Sequence, residues 1–590
     1  MTFLPQWLHN WLGLNYPAQR LPLAITLPLV KSTPLPVLNA LYQLQKARET
    51  EDEDVQFLRL ILKALKQLNR CDTSVIRREE CNHRLAGLFY PLVQLMLGKF
   101  GKDGGTPDSD ARAGTLDNLI AICGEFVSSY GVVIQYYQKC SRFRYARSLN
   151  KLDLAALRFF EFLKLEQSIK GLRYQELSDK SWMMANTVIH ILAVSDRLNI
   201  VLKPLEQMHS EERAIATTRA LDVYLRIQML ERLQLSFWPI QWQTWLQRSI
   251  GLGELKMELS AFSEQSNKNQ ISFVYCSDLI PSRFAPTSNK TGVAPLMLQW
   301  DQLSQAFTTD LAQVLRSRQA GQSVTLSKHL SLFHPEEQLA MAQLQFERFN
   351  AYPTRTATRL DQEKEVPDLR IFIGFKDVFS LLRHIASGGA RKPIGQRMTD
   401  LLARHSAVFS DDAQASVESV WSLRHQDAKL ICLSSLESRH TTPMRIGDLA
   451  ACMLEQADWH QPKLCVIQRI LRHQQGRVYI EMQVLSDQAE AIFFESQMLS
   501  VSHSANETMP GNELVQAIRG KNADLTQLIL PRGVRLNQLT QLTMNTKHGM
   551  ELAQLGHLMS ASKSFSVYAL RRSEPAREVQ REQKVQSIDA

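Results

Sequence analysis

Arg355 and Arg359 stand four residues apart in ERFNAYPTRTATRLDQEKEVPDLRIFIGF, a polar segment that leads into a β-like run. A guanidinium is planar and permanently charged, with several N–H donors in a fixed fork. Two of them at this spacing can grip phosphate oxygens and stack on a purine face, as a bulky anionic nucleotide requires. The same spacing also occurs on solvated surfaces, and the pair alone does not choose between these readings. His425 and Asp427 lie further on, in WSLRHQDAKLICL. An imidazole that titrates near neutrality can contact phosphate when charged, although an exposed polar position on a strand explains it equally. A carboxylate can accept hydrogen bonds from a guanine edge.

Other chemistry leaves no such trace. The chain has no GxxxxGK[ST], HExxH, GxSxG or GxGxxG. GKFGKDGG at 98–105 has lysines without the phosphate-loop spacing and reads as a turn between helices. His190 sits on an apolar helical stretch, where a core histidine bonded to a backbone carbonyl is expected. Trp238, Trp242 and Trp245 fall at helical spacing and read as packing. Cys71, Cys81, Cys123, Cys140, Cys276, Cys432, Cys452 and Cys465 are scattered without a CxxC pair, which predicts a reduced, cytoplasmic chain without a structural zinc. No catalytic residue, metal ligand or resident cofactor is expected, and the chain reads as non-enzymatic. Lys and Arg total 68 against 59 Asp and Glu, a formal charge of +9. This mild excess suits an anionic ligand and argues against a nucleic-acid-coating protein.

The elements that must position these residues fall into two styles. At 590 residues, with roughly 100–200 residues per domain, several domains are expected. From about residue 36 to 260 the apolar period is helical. In EDEDVQFLRLILKALKQLNR, Val55, Leu58, Ile61, Leu62, Leu65 and Leu68 form one stripe, with acidic residues at the start and Lys63, Lys66 and Arg70 towards the end. LDLAALRFFEFLKLEQSI, SWMMANTVIHILAVSDRL and ERAIATTRALDVYLRIQMLERLQL continue the style, so residues 1–260 are predicted to be a helical bundle or array. The most apolar stretch, Trp182–Val194, is short for a membrane span and contains Asn186 and His190, which predicts a buried helix. The N-terminus lacks the basic and long apolar regions of a secretory signal and reads as mature sequence.

After about residue 270 the period becomes two. ISFVYC, DLRIFIGF, KLCVIQRIL, AIFF, LTQLIL, LTQLTM and SFSVYAL are β-like. GRVYIEMQVL alternates, with Val478, Ile480, Met482 and Val484 on one face and Arg477, Tyr479, Glu481 and Gln483 on a wet one. Helical pieces are expected at 300–317, 335–349 and 376–386. The tail 573–590 mixes charges without period and reads as disordered.

The order of elements from about 325 to 570 resembles the PilZ-domain family, bacterial β-barrels that bind cyclic di-GMP, and more closely its proteobacterial subgroup with a helical region ahead of the barrel. The resemblance rests on PTRTATR before LRIFIGF and DVFSLLRHI, then WSLRHQDAKLICL and MRIGDLAAC. LCVIQRILRHQQGRVYIEMQVLS with AEAIFF, LTQLILPRGVRLNQLTQLTM and KSFSVYAL complete it. It implies an α+β chain: a helical domain at 1–260, a mixed segment at 261–385, a PilZ-like antiparallel barrel at 386–500 and a β extension at 501–572. In the family a D/N-x-S-x-x-G motif completes the arginine pair. Here the aligned residues are His425, Gln426, Asp427, Ala428, Lys429 and Leu430, so His replaces Asp or Asn, Asp replaces Ser, and Leu replaces Gly. The implied ligand site is Arg355, Arg359, His425 and Asp427. The implied function is signalling that controls motility, pili or biofilm, with a protein partner at the helical domain. The alternative is a PilZ-like scaffold that works without the ligand.

Overall fold

The computed structural model describes most of residues 51–102, 110–205, 217–251, 257–262, 271–283, 293–320, 327–351, 369–386, 421–497, 512–546 and 549–572, with a few positions before residue 51. The chain divides into two compact units, Met1–Arg355 and Thr356–Ala590. Arg355, Arg359 and the tail 573–590 lie outside the described residues.

Helices dominate the first unit: α1 (Glu51–Arg70), α2 (Val75–Lys102), α3 (Asp110–Lys139), α4 (Arg142–Leu172), α5 (Asp179–Val194), α6 (Ala220–Arg232) and α7 (Ile240–Gly251). The α1 stripe is the expected one: Leu58, Ile61, Leu65 and Leu68 are fully buried, while Val55 and Leu62 are half-buried. The glycine–lysine segment read as a turn instead continues α2 as far as Lys102. Phe126 of α3 stacks on Phe162 of α4 with ring centroids 4.1 Å apart, and Phe89 of α2 lies 5.8 and 6.4 Å from those two rings. Within α3, Ala113–Lys139 is long and apolar enough to cross a membrane by length and composition, and 56% of its most apolar window is buried against the rest of the protein. His190 is the core histidine expected. Its Nδ1 lies 2.7 Å from the Asn186 carbonyl, and burial holds the imidazole below its ordinary value. Trp238 is buried with its indole N–H donating to the Leu233 carbonyl at 2.6 Å.

The first unit extends well beyond residue 260. A two-strand ribbon, β1 (Val201–Leu202) with β2 (Thr218–Arg219), precedes a three-strand sheet of order β3-β5-β4 (Glu258–Ala261, Leu296–Gln299, Ile271–Val274). Helices α8 (Asp301–Ala320), α9 (Lys328–Ser331) and α10 (Pro335–Ala351) follow. This segment is bound to the bundle by buried polar groups. The Asn186 amide donates to the carbonyls of Ile280 and Asp278 at 2.8 and 3.2 Å, and Gln228 donates to that of Pro281 at 3.0 Å. The guanidinium of Arg232 lies 4.5 Å from the Phe349 ring and 5.2 Å from that of Trp300. Residues 271–351 therefore complete the helical unit, and the expected 261–385 segment is divided at Arg355/Thr356.

In the second unit, β6 (Leu369–Ile373), β7 (Ser422–Gln426), β8 (Leu430–Leu436), β9 (Leu449–Leu454), β10 (Lys463–Arg472) and β11 (Arg477–Ser486) form an open antiparallel sheet of order β6-β9-β10-β11-β8-β7. Six more strands close into an antiparallel barrel: β12 (Gln488–Gln497), β13 (Asn512–Asn522), β14 (Leu525–Pro531), β15 (Gln541–Thr546), β16 (Gly549–Ala561) and β17 (Phe565–Arg572). Closure comes from β12 against β15, Phe493 with Asn545 and Phe494 with Met544. The barrel is thus built from 488–572 and not from 386–500, and the residues expected as an extension supply five of its six strands. The reason is that strand period reports which face is buried and not which strand is the neighbour.

Barrel and sheet share a core around α11 (Phe375–Ala386), where Phe379, Leu382, Leu449 and Val466 pack with the barrel's outward-facing Ile518 and Val567. Gly374, at φ +97°, turns the chain from β6 into α11 while donating to the Leu449 carbonyl at 2.8 Å. The barrel interior holds Ile492, Phe494, Leu528, Met544, Leu555 and Leu570. Its lining continues into charge at one end, where Arg519 pairs with Glu490 and donates to Glu551 at 2.6 Å.

Candidate functional site

The β7–β8 hairpin carries the two described residues of the expected ligand site. Its turn is held by Asp427: the backbone N–H of Asp427 donates to the Leu430 carbonyl at 2.9 Å, while Oδ1 accepts from the N–H groups of Lys429 and Leu430 at 2.7 and 2.8 Å. This is the self-bonded turn that Asp favours. Oδ2 lies 3.3 Å from His425 Nε2. The carboxyl is held below the usual carboxylate range, chiefly by the Lys429 N–H, with His425 adding to it. His425 and Asp427 are thus brought together, both partly solvent-accessible.

A β-bulge makes the hairpin more than a turn. Leu423 pairs with Leu433 and His425 with Cys432, so Arg424 is the extra residue. Its side chain is buried, Nε donating to Ser434 Oγ at 2.7 Å and the guanidinium lying 5.8 Å from the Tyr479 ring centroid. Tyr479 pairs with Ser434 in register, and Cys432 with Glu481, which places Arg424 and His425 over the same face of the sheet. That face is the wet side of β11. The next strand contributes Arg469, 3.6 Å from Glu481, and Gln468, which donates to Gln483 at 2.9 Å. The opposite face, with Ile431, Leu433, Ile480 and Met482, is fully buried.

Two guanidiniums, an imidazole, a phenol, amides and two carboxylates are therefore spread over one face of the sheet, from the edge strand β7 inward to β10. Such a surface can meet an anion through the N–H groups of arginine and histidine and accept from donor groups through Glu481 and Asp427. Of the expected residues, His425 and Asp427 belong to it, whereas Arg355 and Arg359 lie outside the described residues. Arg424, Ser434 and Arg469 were not singled out from sequence. Tyr479 and Glu481 were legible as the wet side of an alternating strand. A bulge inverts alternation at one residue, and no local signal announces it.

All eight cysteines are buried, and none forms a disulfide. Compared with protein-family models, curated proteins and solved structures, the chain matches none of them.

Proposed function

We propose that this chain is a non-enzymatic, cytoplasmic bacterial signalling protein, whose β-rich unit receives an anionic nucleotide and whose helical unit contacts a protein partner. Cyclic di-GMP is the ligand to test first, on the resemblance to PilZ-domain effectors, and motility, pili or biofilm is the output that the resemblance implies. One observation carries the reading: the bulged hairpin sets His425 and Asp427 side by side, 3.3 Å apart, next to the buried Arg424.

A second reading, a PilZ-like scaffold that acts without the ligand, is favoured by a different observation. Asp427 Oδ1 already accepts two backbone N–H groups, and Leu430, where the resemblance has Gly, is half-buried at the start of β8. Calorimetric titration with cyclic di-GMP separates the two. The receiver reading expects binding that weakens about ten- to a hundredfold in Arg355→Ala or Arg359→Ala, the loss of a charge-assisted contact of roughly 1.5–3 kcal/mol. Lysine at either position should rescue only partly, lacking the planar fork. If wild type does not bind and the folded triple variant His425→Asn, Asp427→Ser, Leu430→Gly does, the scaffold reading stands. If neither binds, the site is misplaced.

A further inference from the structure

The outer flank of α1 carries Arg59, Lys63, Lys66 and Arg70, all exposed, at positions i, i+4, i+7 and i+11. At 1.5 Å per residue the stripe is roughly 16 Å long and faces one way. These four residues, with Leu62 and Gln67, line one groove. Among the described residues no carboxylate pairs with any of the four. Like charges three and four residues apart repel, so the row weakens its own helix slightly unless an anion answers it. Some other charges of this unit are answered locally, as Arg84 is by Glu80 and Arg219 by Asp222.

We propose that the α1 groove docks an acidic peptide segment of a partner protein, one carrying Asp or Glu at a spacing that matches the four cations. The half-buried Leu62 and the amide of Gln67, set between the charges, suit a peptide, which offers methylene and backbone groups as well as carboxylates. A nucleic-acid duplex asks for a broader basic surface, and the chain's excess of 68 basic over 59 acidic residues is small for that role. A bilayer asks for apolar side chains free to insert, whereas the apolar stripe of α1 is already buried in the bundle. Arginines at the two ends give bidentate contacts, and the central lysines act as point charges.

The inference rests on the reading of this chain as an interaction protein and not on the nucleotide. Its test uses the full chain and a labelled helical peptide of about 16 residues with Glu at the matching positions, long enough to span the stripe, followed by fluorescence anisotropy. Binding is expected at about 50 mM salt and should weaken at about 150 mM, as the screening length shortens. Lys63→Glu/Lys66→Glu should weaken binding about tenfold or more, and Lys63→Gln/Lys66→Gln by an intermediate amount. Lys180→Glu/Lys203→Glu changes the net charge equally at other exposed lysines and should alter binding by less than about twofold if the groove is the site. No binding at low salt, or equal weakening by the two Glu pairs, overturns the proposal. So does a DNA duplex or a phosphatidylserine vesicle that binds more tightly than the peptide and is lost on the Lys63/Lys66 substitution. Cyclic di-GMP titration of Lys63→Glu/Lys66→Glu should match wild type, so failure of either reading is recognised separately.

Discussion

Asp427 divides its carboxylate, one oxygen capping the β7–β8 turn and the other facing His425. Because backbone N–H donors favour the charged form, its folded pKa is lowered, and the stabilisation it brings follows in sign. It is fully present above the unfolded value near about 4 and is lost as pH falls through the folded value. Asp427→Asn keeps one acceptor but no charge. We expect it to lower the melting temperature at neutral pH, with the gap to wild type closing as the pH falls below the ordinary carboxylate range and the Asp427 carboxyl protonates. A gap that stays constant throughout acid titration would show that the charge contributes nothing to the turn. Arg424 belongs to the same scale: its position on the polar face follows from a single inserted residue, which neither its type nor its spacing announces.

For strands and helices, which face is buried decides tolerance. Ile480 is 1% exposed, whereas Glu481 beside it lies on the wet face opposite Arg469. Ile480→Asp should therefore cost about 3 kcal/mol or more, and Glu481→Lys less than about 1 kcal/mol, since a half-exposed ion pair is weak. Chemical denaturation of the two variants checks this, and equal small losses would contradict the assigned faces. Glycines give a second contrast. A Cβ on Gly520 of β13 would lie 3.0 Å from the Cβ of Ser486, whose hydroxyl is tied to the carbonyls of Gln488 and Lys521 and has little room to yield. Gly520→Ala should destabilise by about 1–3 kcal/mol. Gly98, exposed on α2 with nothing within 4 Å of an added Cβ, should instead gain about 0.5–1 kcal/mol on Gly98→Ala.

Across the whole molecule, the division at Arg355/Thr356 predicts which fragments fold. Residues 1–355 should give a predominantly helical circular dichroism spectrum with a cooperative melt, and residues 356–590 a strand-rich one. Residues 1–260 alone should melt earlier or without cooperativity. That fragment leaves Asn186 and Gln228 without the carbonyls of 278–281 and uncovers Arg232 where Trp300 and Phe349 now lie. A 1–260 fragment as stable as 1–355 would show that 271–351 only decorates the bundle.

Much of the element inventory is local and was legible. Helices expected at 300–317, 335–349 and 376–386 are found at 301–320, 335–351 and 375–386, because an amphipathic face repeats within the element itself. The alternation of β11 foretold its burial residue by residue. Two barrel strands were not anticipated. In β13 the outward Ile518 packs on the sheet while the inward Val515 and Ala517 share their face with Arg519, which meets Glu490, so apolar residues fall on both faces and the inward one also carries charge. In β16, register shifts between Leu555 and Ser560 break the period. Tertiary structure alone decided that β14 lies beside β17, that β12 closes on β15, that a bulge turns Arg424 beside His425, and that 271–351 belongs with the helices. Each of these depends on which residues of different elements pair or pack together, and a period of two or 3.6 states which side of an element is dry without naming what covers it.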